Sequence, residues 1–179
     1  MATTQTRETT QDREISTIIA PPPPGPYFFD EMTNALESYP EEKVKIAIVE
    51  VAYPGDVVNA NEQGSFRVEV RNTGPLHLTG VTVRVKARNG ATVANNSITS
   101  PFVSEFVTQE LPRVDAHGGT ALTVGSPLKF KAPNTAQGEA NLVEATLEDW
   151  NADLNHILLA HSDPTDSVKG VFRTEIVGS

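Results

Sequence analysis

Residues 64–90 read GSFRVEVRNTGPLHLTGVTVRVKARNG, and their alternation decides the fold. Along the first half, Phe66, Val68 and Val70 fall on one side of an extended chain, with Arg67, Glu69 and Arg71 on the other. Along the second half, Val81, Val83, Val85 and Ala87 alternate with Thr82, Arg84, Lys86 and Arg88. Successive side chains of a strand point to opposite faces, so this pattern specifies two half-buried antiparallel strands. On a helix the same residues would scatter around the circumference.

Working downstream, Asn89-Gly90 tolerates the positive φ of a type I′ turn and predicts a hairpin that returns through Ala91 to Ala94. Further strands are expected over Val103 to Leu111, Leu142 to Trp150 and Val168 to Val177. Thr120 to Lys131 carries Leu122, Val124, Leu128 and Phe130, with Pro127 implying an edge or a break. Upstream, Lys45 to Tyr53 moves its apolar set from Ile46 and Ile48 to Val49, Val51 and Tyr53, which predicts a bulge or a crossing between sheets. Seven or more strands separated by turn residues predict an all-β fold over residues 43–179, an immunoglobulin-like two-sheet antiparallel sandwich.

Residues 1–42 read as a separate arm. Met1 to about Glu14 is Thr, Gln and charge, too little apolar surface to offset the entropy of ordering it. Ile15, Ile18 and Ile19 then precede Pro21 to Pro24, Gly25 and Pro26, and Tyr27, Phe28 and Phe29 follow. A proline run favours a stiff, extended conformation. Apolar clusters this dense mark interaction sites, so Ile15, Ile18, Ile19, Tyr27, Phe28 and Phe29 form the candidate partner-binding set, with folding back onto their own domain as the alternative. Asp30 is placed to cap a short helix over about residues 31–39, with Met32, Ala35, Leu36 and Tyr39 at helical spacing and Pro40 ending it.

Composition narrows the chemistry. The 179 residues hold 14 Lys and Arg against 23 Asp and Glu, a formal net charge of -9, which argues against nucleic acid as partner. Having no cysteine, the chain has no disulfides, thiol catalysis or cysteine metal sites. No run approaches the roughly 18 apolar residues of a membrane-spanning helix, and the opening MATTQTRETTQDRE lacks the regions of a conventional secretory signal. The expectation is a soluble protein, cytoplasmic or carried in a released particle.

Asp149, Asn151, Asp153 and Asn155 put an oxygen ligand at every second position, as a calcium loop does at its start. Leu154 and Ala160 stand where such a loop needs glycine and glutamate, so the plainer reading is a strand end turning into a loop whose Asx side chains bond nearby backbone. A looser cation site could recruit Asp163 or Asp166. His77, His117, His156 and His161 match no metal spacing, Glu144 and Glu148 alternate on a solvent face, and Trp150 suits core packing better than sugar stacking. No nucleophile elbow, Walker loop or dinucleotide loop is present, so neither catalytic residues nor a cofactor are expected.

Pro54-Gly55 before the second strand, Val70-Arg71-Asn72-Thr73-Gly74 closing it, Leu78-Thr79-Gly80-Val81 opening the next and the stretch from Leu111 to Thr120 together resemble bacterial and archaeal immunoglobulin-like modules of the CARDB and NEW3-like type. The resemblance runs from about Lys43 to Val177, and the first 40 or so residues have no counterpart in it. It implies the sandwich fold and an accessory, spacer or adhesive role. Taken with the arm, the reading is a non-catalytic structural or interaction protein. Its arm docks on a protein partner or on another copy of the chain within a particle, filament or phage-like assembly. A glycan-binding accessory module and a calcium-dependent adhesion module are the alternatives.

Overall fold

The two strands of the alternating stretch part company and face each other across the core. In a computed structural model, residues 26–95, 99–154, 157–162 and 165–178 are described, with side chains described over 35–95, 99–153 and 165–178. In chain order the elements are α1 (Pro26–Lys43), β1 (Val44–Ala52), β2 (Val58–Asn59), β3 (Gln63–Asn72), β4 (His77–Ala87) and β5 (Thr92–Ala94). β6 (Glu105–Val107), β7 (Gly119–Leu122), β8 (Leu128–Lys131), β9 (Gly138–Leu154), β10 (Ile157–Ser162) and β11 (Thr165–Val177) follow.

One sheet has the order β1-β3-β8-β5, with β7 pairing β3 in line with β8. The other has the order β2-β11-β9-β4-β6, with β10 pairing β9 in line with β11. Pairing is antiparallel except where β2 runs parallel to the end of β11. The result is an immunoglobulin-like two-sheet sandwich. Its strands β3 and β4 present Phe66, Val68 and Val70 from one sheet and Val81, Val83 and Val85 from the other, all fully buried.

Aromatic rings close one end of this core. Phe130 sits between Phe66, at 6.4 Å, and Phe172, at 5.4 Å, and Tyr53 meets it edge-on at 6.4 Å. The expected irregularity in the first strand is present. Glu50 has φ 51°, and the β1–β3 register shifts between Val49 and Ala52. The break at Pro127 separates β7 from β8. Arg67 spans it by donating to the Thr123 carbonyl at 2.6 Å and the Gly125 carbonyl at 2.8 Å.

Several expectations are corrected. Asn89 and Gly90 do form a tight turn, with φ of 53° and 76° and an Ala91 N–H to Arg88 carbonyl bond of 3.0 Å. The hairpin does not form, because β4 belongs to one sheet while β5 crosses to the other and pairs β8. Burial of Val93 and Ala94 against the first sheet outweighs the local signal. The strand expected over Val103 to Leu111 shrinks to β6, because this segment changes sheets. Val103 bridges Val93, whereas Thr108 and Leu111 donate to the Val83 and Val81 carbonyls of β4.

The helix is also longer than its local signals indicate, spanning 18 residues with Pro40 inside it. Pro26 is pre-set for a first helical position, which draws Tyr27, Phe28 and Phe29 into α1 rather than into an extended arm. Pro40 removes one backbone bond, but only three residues remain beyond it. The Lys43 carbonyl at the helix end is then captured by the Thr73 amide at 2.8 Å and hydroxyl at 2.9 Å.

Truncating Phe66 opens a void that the surrounding rings cannot fill. Phe66→Ala is expected to destabilise the fold by about 3–5 kcal/mol, whereas Val171→Thr on the exposed face should change it by less than about 0.5 kcal/mol. Urea unfolding of the two variants beside the parent measures both.

Candidate partner-binding site

The site is the junction between the C-terminal half of α1 and the turn from β3 to β4. The register that turns Phe66, Val68 and Val70 inward also turns Asn72 inward, and its amide is completely buried. Asn72 Oδ1 accepts from the Gly74 amide at 3.1 Å and the Tyr39 hydroxyl at 2.9 Å. Its Nδ2 donates to the carbonyls of Leu76 at 2.5 Å and Asp115 at 3.3 Å. The Tyr39 hydroxyl in turn accepts the Leu76 N–H at 3.1 Å. A buried amide with all its groups engaged specifies one geometry, because any other would strand them.

Gly74 is required by proximity rather than by backbone dihedral. A Cβ there would meet the Tyr39 hydroxyl oxygen at 2.2 Å and the ring at 2.6 Å. Tyr39 stacks on Trp150 with ring centroids 6.0 Å apart and 22° between planes. The helix is thereby fixed to the sandwich by one aromatic side chain, apolar along its ring and polar at its tip. Burial pushes the Tyr39 phenol above its ordinary pKa, against the pull of its hydrogen bonds to Leu76 and Asn72.

Beside this anchor lies an open, mostly apolar cleft of about 430 Å³, walled by Ala35, Leu36, Ser38 and Tyr39 on one side and Pro75 and Leu76 on the other. Glu42 and Lys43, 3.4 Å apart, stand at its rim. Such a surface suits apolar side chains delivered by another segment. Among the described residues it offers no set of convergent acids, bases or nucleophiles.

Of the candidate partner-binding residues, Ile15, Ile18 and Ile19 lie outside the described residues. Tyr27, Phe28 and Phe29 are placed only as backbone in the first turn of α1. Asp149, Asn151 and Asp153 do not turn into a loop. They alternate along β9, opposite Thr82, Thr79 and His77 of β4. β10 pairs the other edge of β9, so backbone partners on both sides extend the strand past its Asx residues. Asn155 and His156 lie outside the described residues, and among those described no three His, Asp or Glu side chains converge to hold a metal ion.

Trp150 is completely buried and forms no exposed aromatic platform, which removes the residue on which a glycan-binding reading rested. Glu148 and Glu105 are ion-paired with Arg84, and Glu144 with Arg88, so these three carboxylates are engaged in ion pairs. The hydrogen bond and charge of Glu148 hold the Arg84 guanidinium more firmly protonated than usual. His77 accepts the Ala116 N–H at Nδ1, 3.2 Å away, and lies 3.2 Å from Asp115. Sequence reasoning missed Asn72 and Tyr39 as partners. The available signal was an amide at an inward strand position, followed by Thr73, Gly74 and Pro75.

A raised phenol pKa means that the fold favours protonated Tyr39. Its stabilising contribution is complete below the ordinary tyrosine range and is lost as pH rises through the raised value. The parent should therefore lose stability above about pH 10. Tyr39→Phe should remove that alkaline component and lower neutral-pH stability by about 1–3 kcal/mol, through the buried partners left unpaired. Thermal melts of both proteins from neutral to alkaline pH check this.

No protein-family model matches the chain, and comparison with curated proteins finds no significant match. Among solved structures, it is similar to the CARDB domain of the PF1109 protein from Pyrococcus furiosus, solved in complex with di-metal ions. That match has 18% identity and a TM-score of 0.35, and covers 76% of this chain and 90% of that one. It is also similar to PapD-like domain 7 of human CEP192, at 10% identity and a TM-score of 0.28, covering 76% and 84% of the two chains. The Bacillus subtilis sporulation control protein Spo0M matches at 11% identity and a TM-score of 0.27, over 76% of this chain and 49% of its own. The first of these is a domain of the type that the motifs of residues 53–90 and 111–120 resemble.

Proposed function

We propose that the chain is a non-catalytic assembly module, an immunoglobulin-like sandwich that presents an apolar N-terminal segment to a neighbouring subunit. The observation that carries this reading is the anchoring of α1. Tyr39 ties the end of the helix into the Asn72 network, and α1 begins at Pro26, directly after the proline run and its isoleucines in the sequence. Eighteen helical residues span about 27 Å. On this reading Ile15, Ile18, Ile19, Tyr27, Phe28 and Phe29 are the residues that meet the partner.

The energetics suit this role. Full burial of a large apolar side chain stabilises by about 1.5–3 kcal/mol. Six of them offset the roughly 4–15 kcal/mol that association costs in lost freedom. The partner is read as protein rather than nucleic acid, because the net charge is -9 and Arg84 and Arg88 are already paired with Glu105, Glu148 and Glu144.

The test uses the full-length chain. Light scattering should give a mass above that of a single chain. The combined substitution Ile15→Ser, Ile18→Ser and Ile19→Ser should lower it to one chain while leaving the melting temperature within about 2 °C. Equal masses for parent and variant at matched concentration would contradict the proposal.

A further inference from the structure

We infer that His77 is a proton-operated latch between the start of β4 and the crossing segment 111–118. Its Nδ1 holds the Ala116 amide while the imidazole is neutral and turns to the Asp115 carboxylate once the ring is protonated.

Two incompatible partners share one atom. The Ala116 N–H donates to His77 Nδ1 across 3.2 Å. The same Nδ1 lies 3.2 Å from Asp115 Oδ1. An amide N–H needs a lone pair on Nδ1 and a carboxylate needs a proton there, so the ring serves one or the other. The Ala116 bond therefore selects the neutral tautomer that carries its proton on Nε2. A second proton converts Nδ1 from acceptor to donor, which releases the Ala116 N–H and forms a charge-assisted bond to Asp115.

The surroundings receive an imidazolium. From the crossing segment come Asp115, which Arg113 also holds at 2.7 Å, and the exposed His117. From β9, Asp153 stands directly across the ladder from His77, and its Oδ1 is buried without a hydrogen-bond partner among the described residues. Side chains paired in this way have Cβ atoms about 4.5–5.5 Å apart. A protonated ring thus has a carboxylate on the neighbouring strand as well as on the crossing segment. α1 reaches this turn through Tyr39, whose hydroxyl is already engaged by Asn72 and Leu76. With 30% of its side chain exposed, His77 exchanges protons with solvent.

Position gives the exchange its consequence. Leu78 and Val114 trade two backbone bonds of 2.9 Å, and the His117 amide donates to the Gly74 carbonyl at 2.8 Å. Ala116 lies between these fixed points, and its acceptor alone among the three can gain a proton. Histidine changes charge between about pH 5 and pH 8. The strap over the β3–β4 turn therefore loosens at its middle in mild acid while its ends stay bonded.

The test is nitrogen-15 NMR and amide exchange on the full-length chain. At about pH 8 the ring proton should sit on Nε2, and the Ala116 amide should be protected. On acidification to about pH 5 that protection, corrected for intrinsic exchange, should fall roughly 2–10-fold, the worth of one ordinary hydrogen bond, while Val114 stays unchanged. His77→Asn places a non-titrating carbonyl near the position of Nδ1 and should keep Ala116 equally protected at both pH values. If that variant folds poorly, the ring resonances of the parent still decide. A proton on Nδ1 in mild alkali, Ala116 protection indifferent to pH, or a pH dependence that survives in His77→Asn would each overturn the latch.

Discussion

A single buried side-chain amide, that of Asn72, holds the end of the sandwich together. It is positioned by the alternation that builds β3, so the residue that would otherwise be the next inward valine is an amide that must be satisfied. It meets that requirement by fixing three things at once: the turn at Gly74 and Leu76, the crossing segment at Asp115, and the hydroxyl of Tyr39. Its own carbonyl receives the Gly118 amide at 2.7 Å, which joins β7 to the same point. Removing such a group leaves several buried polar atoms without partners, each a loss of about 1–3 kcal/mol.

This constraint makes α1 part of the fold rather than an appendage. A helix of this length is marginal alone in water. Here its last turns are supported by the Tyr39–Trp150 stack and by Thr73 capturing the Lys43 carbonyl. Gly74 makes the approach possible, since any larger residue would strike the Tyr39 ring. The C-terminal half of the helix is therefore held in one orientation against the sandwich. Beside this anchor lies the cleft, walled by Ala35, Leu36 and Tyr39 of α1 and by Pro75 and Leu76 of the turn.

How much of this the sequence disclosed depends on the range of the interaction. Period-two alternation at Phe66–Val70 and Val81–Val85 reports which face of a strand is buried, and both faces were legible. It carries no information about which strand lies alongside, so the crossing at Asn89-Gly90 read as a hairpin. Pro40 obeys its local rule as a helix breaker except where a tertiary contact, Thr73 on Lys43, completes the end for it. The Asx run from Asp149 has a real local preference for a loop, which pairing with β4 and β10 on either side overrides. The arm was visible in composition alone, through isoleucines and aromatics flanking a proline run. The cleft was not, since its walls come from residues nearly forty positions apart and meet only through Tyr39 and Asn72.

The central claim is that the Asn72 network makes helix and sandwich one cooperative unit. Native-state amide hydrogen exchange addresses it most directly, because it reads the opening free energy of each hydrogen-bonded amide separately. The Thr73, Gly74 and Leu76 amides, bonded to Lys43, Asn72 and Tyr39, should exchange only through global unfolding, with the same opening free energy as Val68 and Val70 in β3. Exchange of the three junction amides at a markedly lower free energy than the β3 core would show the helix detaching on its own and would contradict the account.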